Sequence, residues 1–394
     1  MLGTLYENFK SIPIDNEEIS QSELNIDNKT RSNLFCWNGQ FSPQFIEIIL
    51  KKYVKKDFLV LDPFLGSGTT VSECARLGLS AYGVELNVSA FWMAKTYECS
   101  NLSLKERRRI VAEVDKLISL IPNNEKILDY ILQGIKKNDD IMVTNILSTL
   151  VIVMDVYKNA ITMELVNIKW EWLKNLILTL PYSKAKICVN RGDSRKLDLN
   201  DSVADMVITS PPYINVFNYH QKYRRSVEAL GYDVLKIARS EFGSNRKNRG
   251  NRFLTVIQYC IDMALSLNEA IRVCKTGARM IYVVGRESSV LGYSFCNSEL
   301  IYNIGKEIFD LELLLRQERV FKNRYGQMIY EDIIHFGNKK CKISEDEIIE
   351  KARVIAIRSL KKKLEIFPPT KNTVFLTEAI SKALKVKESE VAYG

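Results

Sequence analysis

The sequence predicts an α/β fold with a mostly parallel, Rossmann-like sheet, and two stretches of the chain carry that prediction. The first is LVLDPFLGSGTT at residues 59–70, where a short apolar run ends at Asp62 and passes through glycines into a helix. Such a run is typical of a parallel strand covered on both faces. The second is AYGVE at residues 81–85, an apolar run that ends in Glu85. Rossmann-like folds hold a ribose diol with an acidic residue at this strand tip.

The loop between these strands has the composition of a ligand-binding turn. Gly66 and Gly68 allow positive φ and a close approach of a ligand to the backbone. Ser67, Thr69 and Thr70 place hydroxyl and amide groups at the start of a helix, where a carboxylate or phosphate binds. An ordinary tight turn would also use these glycines. Strand, loop, helix and acidic-tipped second strand together favour a binding site.

Composition limits the classes of protein and of site. A chain of 394 residues is long enough for one large α/β domain with insertions, or for two domains. Its net charge of +9 is compatible with a polyanionic partner. Its eight cysteines form no CxxC pair and His220 and His335 are its only histidines, so we expect no metal site and no disulfide framework. The polar N-terminus is no signal peptide, and the most apolar segment, residues 141–154, is too short and too polar to span a bilayer. We therefore expect a soluble, cytoplasmic protein with no membrane partner.

Changes in composition along the chain predict its organisation. The aromatic residues Phe35, Trp37 and Phe41 precede the first core helix, either as plain packing or as a cover over a ligand at the glycine loop. The predicted regions are a flexible N-terminal arm at residues 1–30, a core at 31–100 and 185–340, a helical insertion at 101–184, a basic insertion at 214–252 and a helical, lysine-rich tail at 341–394.

A further core strand is predicted at residues 204–209, and it runs directly into Ser210, Pro211, Pro212 and Tyr213. Two adjacent prolines remove ladder donors and form a rigid, extended segment at the sheet edge where α/β folds bind ligands. A strand that ends in a plain Pro-Pro turn is the simpler alternative. The flanking residues favour a base-binding site, because the Tyr213 ring can stack on an extruded nucleobase. The Ser210 hydroxyl and the Pro211 carbonyl can accept hydrogen bonds from an exocyclic amine, so the site works by positioning and electrostatics.

Together, DPFLGSGTT at residues 62–70 and TSPPY at residues 209–213 resemble the motifs of the DNA amino-methyltransferases, which use S-adenosylmethionine. The SPPY form resembles the branch that methylates N4 of cytosine, and residues 40–45 resemble the motif beside the methionine end of the cofactor. The resemblance covers residues 35–97 and 185–340. It implies a class I methyltransferase sheet with an antiparallel hairpin, S-adenosylhomocysteine as product, and no metal.

The same resemblance implies the site residues. Asp62 and the glycine loop would surround the methionine moiety, Glu85 would hold the ribose hydroxyls, and Asp193 would lie near the adenine amino group. The implied cofactor-binding residues are Phe41, Asp62, Phe64, Gly66, Ser67, Gly68, Thr69, Thr70, Glu85, Asp193 and Ser210. The implied catalytic residues are Ser210, Pro211, Pro212 and Tyr213.

The basic insertion at residues 214–252 predicts contact with nucleic acid. It carries nine basic and three acidic residues with interleaved tyrosines, and it follows the tetrapeptide directly. Its SNRKNRGNR run suits phosphate contacts that fix register without reading sequence. A solvated surface loop is the alternative. The predicted phosphate-contacting residues are Arg224, Arg225, Arg246, Lys247, Arg249 and Arg252.

We therefore expect site-specific methylation of cytosine N4 in duplex DNA by base flipping, within a bacterial or archaeal nucleoid. A restriction-modification or related system is expected, with a companion restriction endonuclease as a candidate partner. Adenine-N6 methylation, methylation of structured RNA and nucleic-acid binding without turnover are the alternatives. Because many cytosine-N4 enzymes carry the two motifs in the reverse order, the target-reading region is left open, with the helical insertion at residues 101–184 as a candidate.

Overall fold

The structure is a computed structural model that describes residues 9–122, 126–156, 160–214, 219–242, 248, 250–323 and 326–391. The chain divides into two compact units. Unit 1 consists of Met1–Lys29, Ser194–Phe217 and Arg239–Gly394, and unit 2 consists of Thr30–Asp193 and Asn218–Ala238. The boundary at residues 193/194 falls within the predicted core, and those at 217/218 and 238/239 fall within the predicted basic insertion.

The described residues form helices and short strands in alternation, followed by a helical C-terminal part. The helices are α1 (Gln21–Asn25), α2 (Pro43–Tyr53), α3 (Thr69–Leu77), α4 (Val88–Lys95), α5 (Leu104–Ser119), α6 (Ile127–Lys137), α7 (Ile141–Met154), α8 (Met163–Thr179), α9 (Arg224–Ala229), α10 (Val234–Ala238), α11 (Leu254–Val273), α12 (Asn297–Asn303), α13 (Glu345–Ile366) and α14 (Thr373–Ser381). The strands are β1 (Leu59–Asp62), β2 (Ser80–Glu85), β3 (Ile187–Arg191), β4 (Ala204–Thr209), β5 (Cys274–Gly285), β6 (Glu287–Val290), β7 (Tyr293–Cys296), β8 (Glu312–Lys322) and β9 (Met328–Gly337).

Unit 2 contains three parallel strands in the order β3-β2-β1. Val60 and Leu61 in β1 are fully buried, as expected for a parallel strand with both faces covered. The register pairs Asp62 with Gly83, and Glu85 with Arg191. The carboxyl ends of all three strands therefore meet at one edge, which carries both acidic strand tips.

Helices α5 to α8 occupy the described part of residues 101–184. Helix α5 begins with a capping box, in which Ser103 Oγ accepts from the Glu106 amide and a Glu106 carboxylate oxygen accepts from the Ser103 amide at 2.7 Å. Helix α7 is buried along most of its length. None of the helices in the described parts of the chain has both the length and the apolar character needed to cross a membrane.

Unit 1 contains strands in the order β4-β5-β9-β8. Strands β4 and β5 are parallel, whereas β9 is antiparallel to both β5 and β8. Parallel strands, flanking helices and an antiparallel hairpin are the features of the Rossmann-like α/β class, so the predicted fold class is confirmed. The short hairpin of β6 and β7 is an addition that the sequence analysis did not predict.

The prediction of a flexible arm over residues 1–30 is wrong for the part that the structure describes. Phe9, Ile19 and Leu24 are buried within unit 1. The Arg316 guanidinium on β8 donates to the Phe9 carbonyl at 3.1 Å. The segment is polar because much of it faces solvent, and its few buried apolar side chains are too widely spaced to give a periodic signal.

A buried ion-pair network anchors the hairpin to which this segment packs. The fully buried Asp332 on β9 accepts from Arg316 at 2.7 Å and from Arg286 at 3.0 Å. Burial raises the pKa of the Asp332 carboxyl, but hydrogen bonds from Arg286, Arg316 and Ser298 lower it more, so its pKa lies below the ordinary value. The carboxylate thus stays ionised inside the protein and ties β8, β9 and the end of β5 together.

The C-terminal part is helical, and it belongs to unit 1. Ile355 and Leu360 of α13 are buried. Beyond α14, Ser389 donates through its hydroxyl to Asp262 on α11 at 2.6 Å, and Asp262 also pairs with Arg195 at 2.7 Å. The end of the described chain is therefore fastened to α11 by a buried polar network.

Candidate functional site

The loop after β1 requires glycine at two positions. Gly66 has φ 58° and Gly68 has φ 95°, both in the left-handed region that other residues rarely adopt. A Cβ at Gly68 would also lie 2.8 Å from Cδ2 of Tyr97 and 2.9 Å from the Ala94 backbone. Helix α3 begins directly after Gly68, so its first amide groups face the loop. The sequence therefore folds here into a tight turn that requires glycine at both positions and leads directly into α3.

Asp62 fastens this loop at both ends. Its carboxylate is almost completely buried, and one oxygen accepts from the Phe64 amide at 3.2 Å. The other accepts from the Thr70 hydroxyl at 2.6 Å. Since Phe64 opens the loop and Thr70 lies in the first turn of α3, a single buried charge fixes the loop conformation.

Glu85 contacts the same loop from the neighbouring strand. Its side chain is half-buried, and one oxygen accepts from the Gly66 amide at 2.6 Å. The other accepts from the Asn87 amide at 2.7 Å, and the Asn87 side chain in turn caps α4. Acceptor oxygens at the tip of β2 thus lie directly beside the glycine loop.

Side-chain hydrogen bonds join the segment before α2 to the glycine loop. Ser67 donates to the Gln40 carboxamide at 2.7 Å, and Thr69 donates to the Asn33 carboxamide at 2.8 Å. Asn33 in turn donates to the carbonyl of Phe41, whose buried ring packs on Phe45. Residues around Gln40 and Phe41 were predicted to lie near the glycine loop, and the structure brings them together.

Asp193 approaches the same edge from β3. It is buried, and the amide of the preceding Gly192 donates to the carbonyl of Glu85 at 3.2 Å. The predicted cofactor-binding residues from Phe41 to Asp193 therefore lie around the carboxyl ends of β1, β2 and β3 in unit 2. Ser210, the remaining member of that set, belongs to unit 1.

A cluster of aromatic rings lies beside the two glycines, and it includes Phe35 and Trp37, for which the sequence analysis left packing and a ligand cover as alternatives. Cδ1 of Trp37 lies 3.6 Å from the position of a Cβ at Gly66. Tyr97 lies against Gly68, and Phe35 makes an edge contact with Tyr97 at 5.8 Å between ring centroids. In the sequence, only the clustering of Phe35 and Trp37 just before α2 indicated these contacts. The structure shows that Trp37 lies beside Gly66 and that Phe35 packs on Tyr97 beside Gly68.

The tetrapeptide Ser210–Tyr213 follows β4 in unit 1. The Tyr213 ring lies against Gly285 at the end of β5, where a Cβ would come within 2.6 Å of the ring atom Cε2. The Tyr213 hydroxyl lies 3.3 Å from Ser210 Oγ and 3.5 Å from a carboxylate oxygen of Glu331. Arg319 donates to the other oxygen of Glu331 at 3.0 Å. Tyr213 is thus placed by the predicted Ser210 and by Gly285 and Glu331, which the sequence analysis did not assign to the site, and Arg319 holds Glu331.

The predicted phosphate-contacting residues are spread over both units. Arg224 and Arg225 open α9 in unit 2, and Arg224 pairs with Glu228 at 2.7 Å on a partly exposed surface. Arg252 belongs to unit 1. The other three, Arg246, Lys247 and Arg249, lie outside the described residues.

Both histidines are buried. Burial and the charge of Arg279 together lower the pKa of His335 on β9 to about 3, so this ring stays neutral in the core. Within the described ranges, three or more His, Cys, Asp or Glu side chains do not come together as metal ligands would.

Comparison with known proteins gives one family match and one curated relative. Residues 9–96 match the family model of N6 and N4 methyltransferases, which is described as "DNA methylase". The Type II methyltransferase M.MjaII of Methanocaldococcus jannaschii is 26% identical over 90 residues, a stretch that covers 23% of this chain and only 16% of that protein.

Solved structures give more distant likenesses. A SAM-dependent methyltransferase from Methanosarcina mazei has 13% identity and a TM-score of 0.36, over 74% of this chain and 97% of its own. TrmN from Thermus thermophilus has 13% identity and a TM-score of 0.33, over 76% of this chain and 50% of its own. Residues 9–96, the part of the chain that matches the DNA methylase family model, contain Asp62, the glycine loop and Glu85.

Proposed function

We propose that this chain is a DNA methyltransferase that transfers a methyl group from S-adenosylmethionine to the N4 amine of cytosine. One observation carries the proposal. The glycine loop lies between the carboxylates of Asp62 and Glu85 at the edge of parallel strands, within the stretch that matches DNA methylases. This is the place where Rossmann-like sheets bind nucleotide-like ligands.

The chemical groups at this edge fit such a cofactor. The Glu85 oxygens can accept hydrogen bonds from ribose hydroxyls, and the Asp193 carboxylate can accept from an adenine amine. The first amides of α3 attract a carboxylate. S-adenosylmethionine supplies an electrophilic methyl group on a sulfonium, and its loss leaves S-adenosylhomocysteine.

At the tetrapeptide, the chain itself would position the amine. Ser210 Oγ and the Pro211 carbonyl accept hydrogen bonds from the exocyclic N–H groups, which localises the nitrogen lone pair and aims it at the methyl carbon. Tyr213 stacks on the extruded base. With the cofactor bound, the N–C bond would form as the C–S bond breaks, and the methylated amine would release one proton to water.

Adenine-N6 methylation is the second candidate, because the matching family model covers both N6 and N4 enzymes. Both targets are exocyclic amines, so the chemistry at Ser210 and Pro211 is the same for either base. The SPPY form of the tetrapeptide favours cytosine. Acting on genomic DNA, the protein would work at the nucleoid, with a companion restriction endonuclease as a candidate partner.

The test is to incubate the protein with methyl-labelled cofactor and unmethylated genomic DNA, digest the DNA and identify the labelled nucleoside. We expect N4-methylcytosine. Labelled N6-methyladenine would be consistent with the same mechanism, but it would make adenine the target base in place of cytosine. Label that enters RNA in a parallel reaction, with none in DNA, would overturn the proposed substrate, and the Asp62→Ala protein serves as the inactive control.

The basic insertion gives a separate prediction about DNA binding. Neutralising Arg246, Lys247 and Arg249 together should reduce the slope of log K against log salt by about 2.7, since each phosphate contact contributes roughly 0.9. The measurement is DNA affinity over a range of salt concentrations.

A matched control removes the same charge elsewhere. Lys52, Lys55 and Lys56, three exposed lysines at and after the end of α2, are neutralised in its place. This control should keep the wild-type slope. Equal slopes for both triple variants would show that residues 246–249 do not contact phosphates.

A further inference from the structure

Trp37 is fixed against the glycine loop by a segment from far along the chain. Its ring stacks with that of Tyr219 at 5.9 Å and 18°, and with that of Tyr223 at 6.5 Å and 11°. The Lys222 ammonium lies 4.9 Å from the centre of the Trp37 ring. We call Trp37, Tyr219, Lys222 and Tyr223 the aromatic clamp, and all four residues belong to unit 2.

The clamp has more anchors than ring stacking alone. Lys222 also donates to the carbonyl of Cys36 at 3.0 Å, next to Trp37 in the chain. The backbone of Tyr223 has φ 57°, a conformation that non-glycine residues adopt only when surrounding contacts impose it. Burial raises the pKa of the Tyr223 hydroxyl to about 12, so the ring stays neutral. Segment 219–223 is therefore seated on Trp37 in one defined arrangement.

The clamp joins two sites that the proposed function uses separately. On one side, the Trp37 ring occupies the space that a Cβ at Gly66 would face, and the Gly66 amide donates to Glu85 in the cofactor loop. On the other side, Tyr223 is followed directly by Arg224 and Arg225, the residues predicted to contact phosphates. Because Tyr223 is bonded directly to Arg224, a ligand that holds the start of α9 also restrains the backbone of Tyr223 beside Trp37.

We propose that the aromatic clamp couples DNA binding to cofactor binding, with Tyr219 and Tyr223 as positioning residues for the cofactor loop. Phosphate contact at Arg224 and Arg225 restrains the start of α9 and so stabilises the packing of segment 219–223 on Trp37, and Trp37 in turn stabilises the Gly66 turn. This inference rests on the proposed function. Because the coupling is thermodynamic, it is reciprocal, and each ligand raises the affinity for the other by the same factor.

The experiment measures the dissociation constant of S-adenosylhomocysteine, which allows no turnover, with and without saturating sheared, unmethylated genomic DNA. For the wild-type protein we expect DNA to lower this constant about tenfold, within the usual range of coupling between sites. In the Tyr219→Ala/Tyr223→Ala variant, the ratio of the dissociation constant without DNA to that with DNA should fall to about one. The Tyr219→Phe/Tyr223→Phe variant keeps both rings and should keep the ratio.

Two further variants separate coupling from a general loss of structure. Tyr130→Ala, at a partly exposed tyrosine on α6 of the same unit, should leave the ratio at the wild-type value. Arg224→Gln/Arg225→Gln leaves the clamp intact, so it should retain wild-type affinity for S-adenosylhomocysteine alone and lose the effect of DNA.

The possible failures are distinguishable. A wild-type protein that binds both ligands without mutual effect would overturn the coupling and leave the proposed function standing. A Tyr219→Ala/Tyr223→Ala variant in which DNA lowers the dissociation constant as much as in the wild-type protein would also overturn the coupling alone. If the wild-type protein binds no S-adenosylhomocysteine under either condition, the proposed function itself fails, and the inference fails with it.

Discussion

Asp62→Ala should weaken cofactor binding by at least about 100-fold and abolish measurable methyl transfer. The carboxylate accepts from the Phe64 amide and from the Thr70 hydroxyl, so its removal releases both ends of the glycine loop. Hydrogen bonds to a charged group contribute roughly 1.5–3 kcal/mol each, and the buried Thr70 hydroxyl would lose this acceptor. The measurement is calorimetric titration of S-adenosylhomocysteine, with a thermal melt to confirm that the variant is folded.

Thr70→Val is the matched control for this prediction. It removes one of the two bonds, keeps the Asp62 charge and nearly preserves side-chain volume. Its cofactor affinity should lie between those of the wild-type protein and Asp62→Ala. Wild-type affinity in a folded Asp62→Ala protein would show that the loop does not bind the cofactor.

Local signals in the sequence predicted much of the fold. The ends of helix α11, Leu254–Val273, coincide with the limits of an apolar period in the sequence. Strand β4 has the predicted bounds, Ala204–Thr209. The capping box at Ser103 and the positive φ of Gly66 and Gly68 follow from residue types within a few positions of each other.

Contacts between distant parts of the chain left no such signal. Nothing near Tyr219 in the sequence indicates that its ring stacks on Trp37, and nothing near Gly285 indicates that it is the surface on which Tyr213 lies. The N-terminal segment was misjudged for the same reason, because its order comes from β8, some three hundred residues later along the chain. Residue composition reports exposure on average, whereas these contacts depend on which surfaces the fold brings together.

The Tyr213 contacts lead to the second large expected effect. Tyr213→Ala should lower the rate of methyl transfer about 10- to 100-fold, since stacking of a base on an aromatic ring contributes roughly 1–3 kcal/mol. Apart from Ser210, the proposed cofactor-binding residues lie between Phe41 and Asp193, so affinity for S-adenosylhomocysteine should stay near the wild-type value. The measurement pairs single-turnover methylation of DNA with cofactor titration.

Tyr213→Phe separates the ring from its hydroxyl. It keeps the stacking surface against Gly285 and removes the contacts of the hydroxyl with Ser210 and Glu331. If stacking dominates, the phenylalanine variant retains most of the activity that the alanine variant loses. If the two variants are equally impaired, the hydroxyl matters more, because it then orients Ser210 toward the amine. Unchanged turnover in Tyr213→Ala would count against stacking of the base on this ring, since no other residue in SPPY offers an aromatic face.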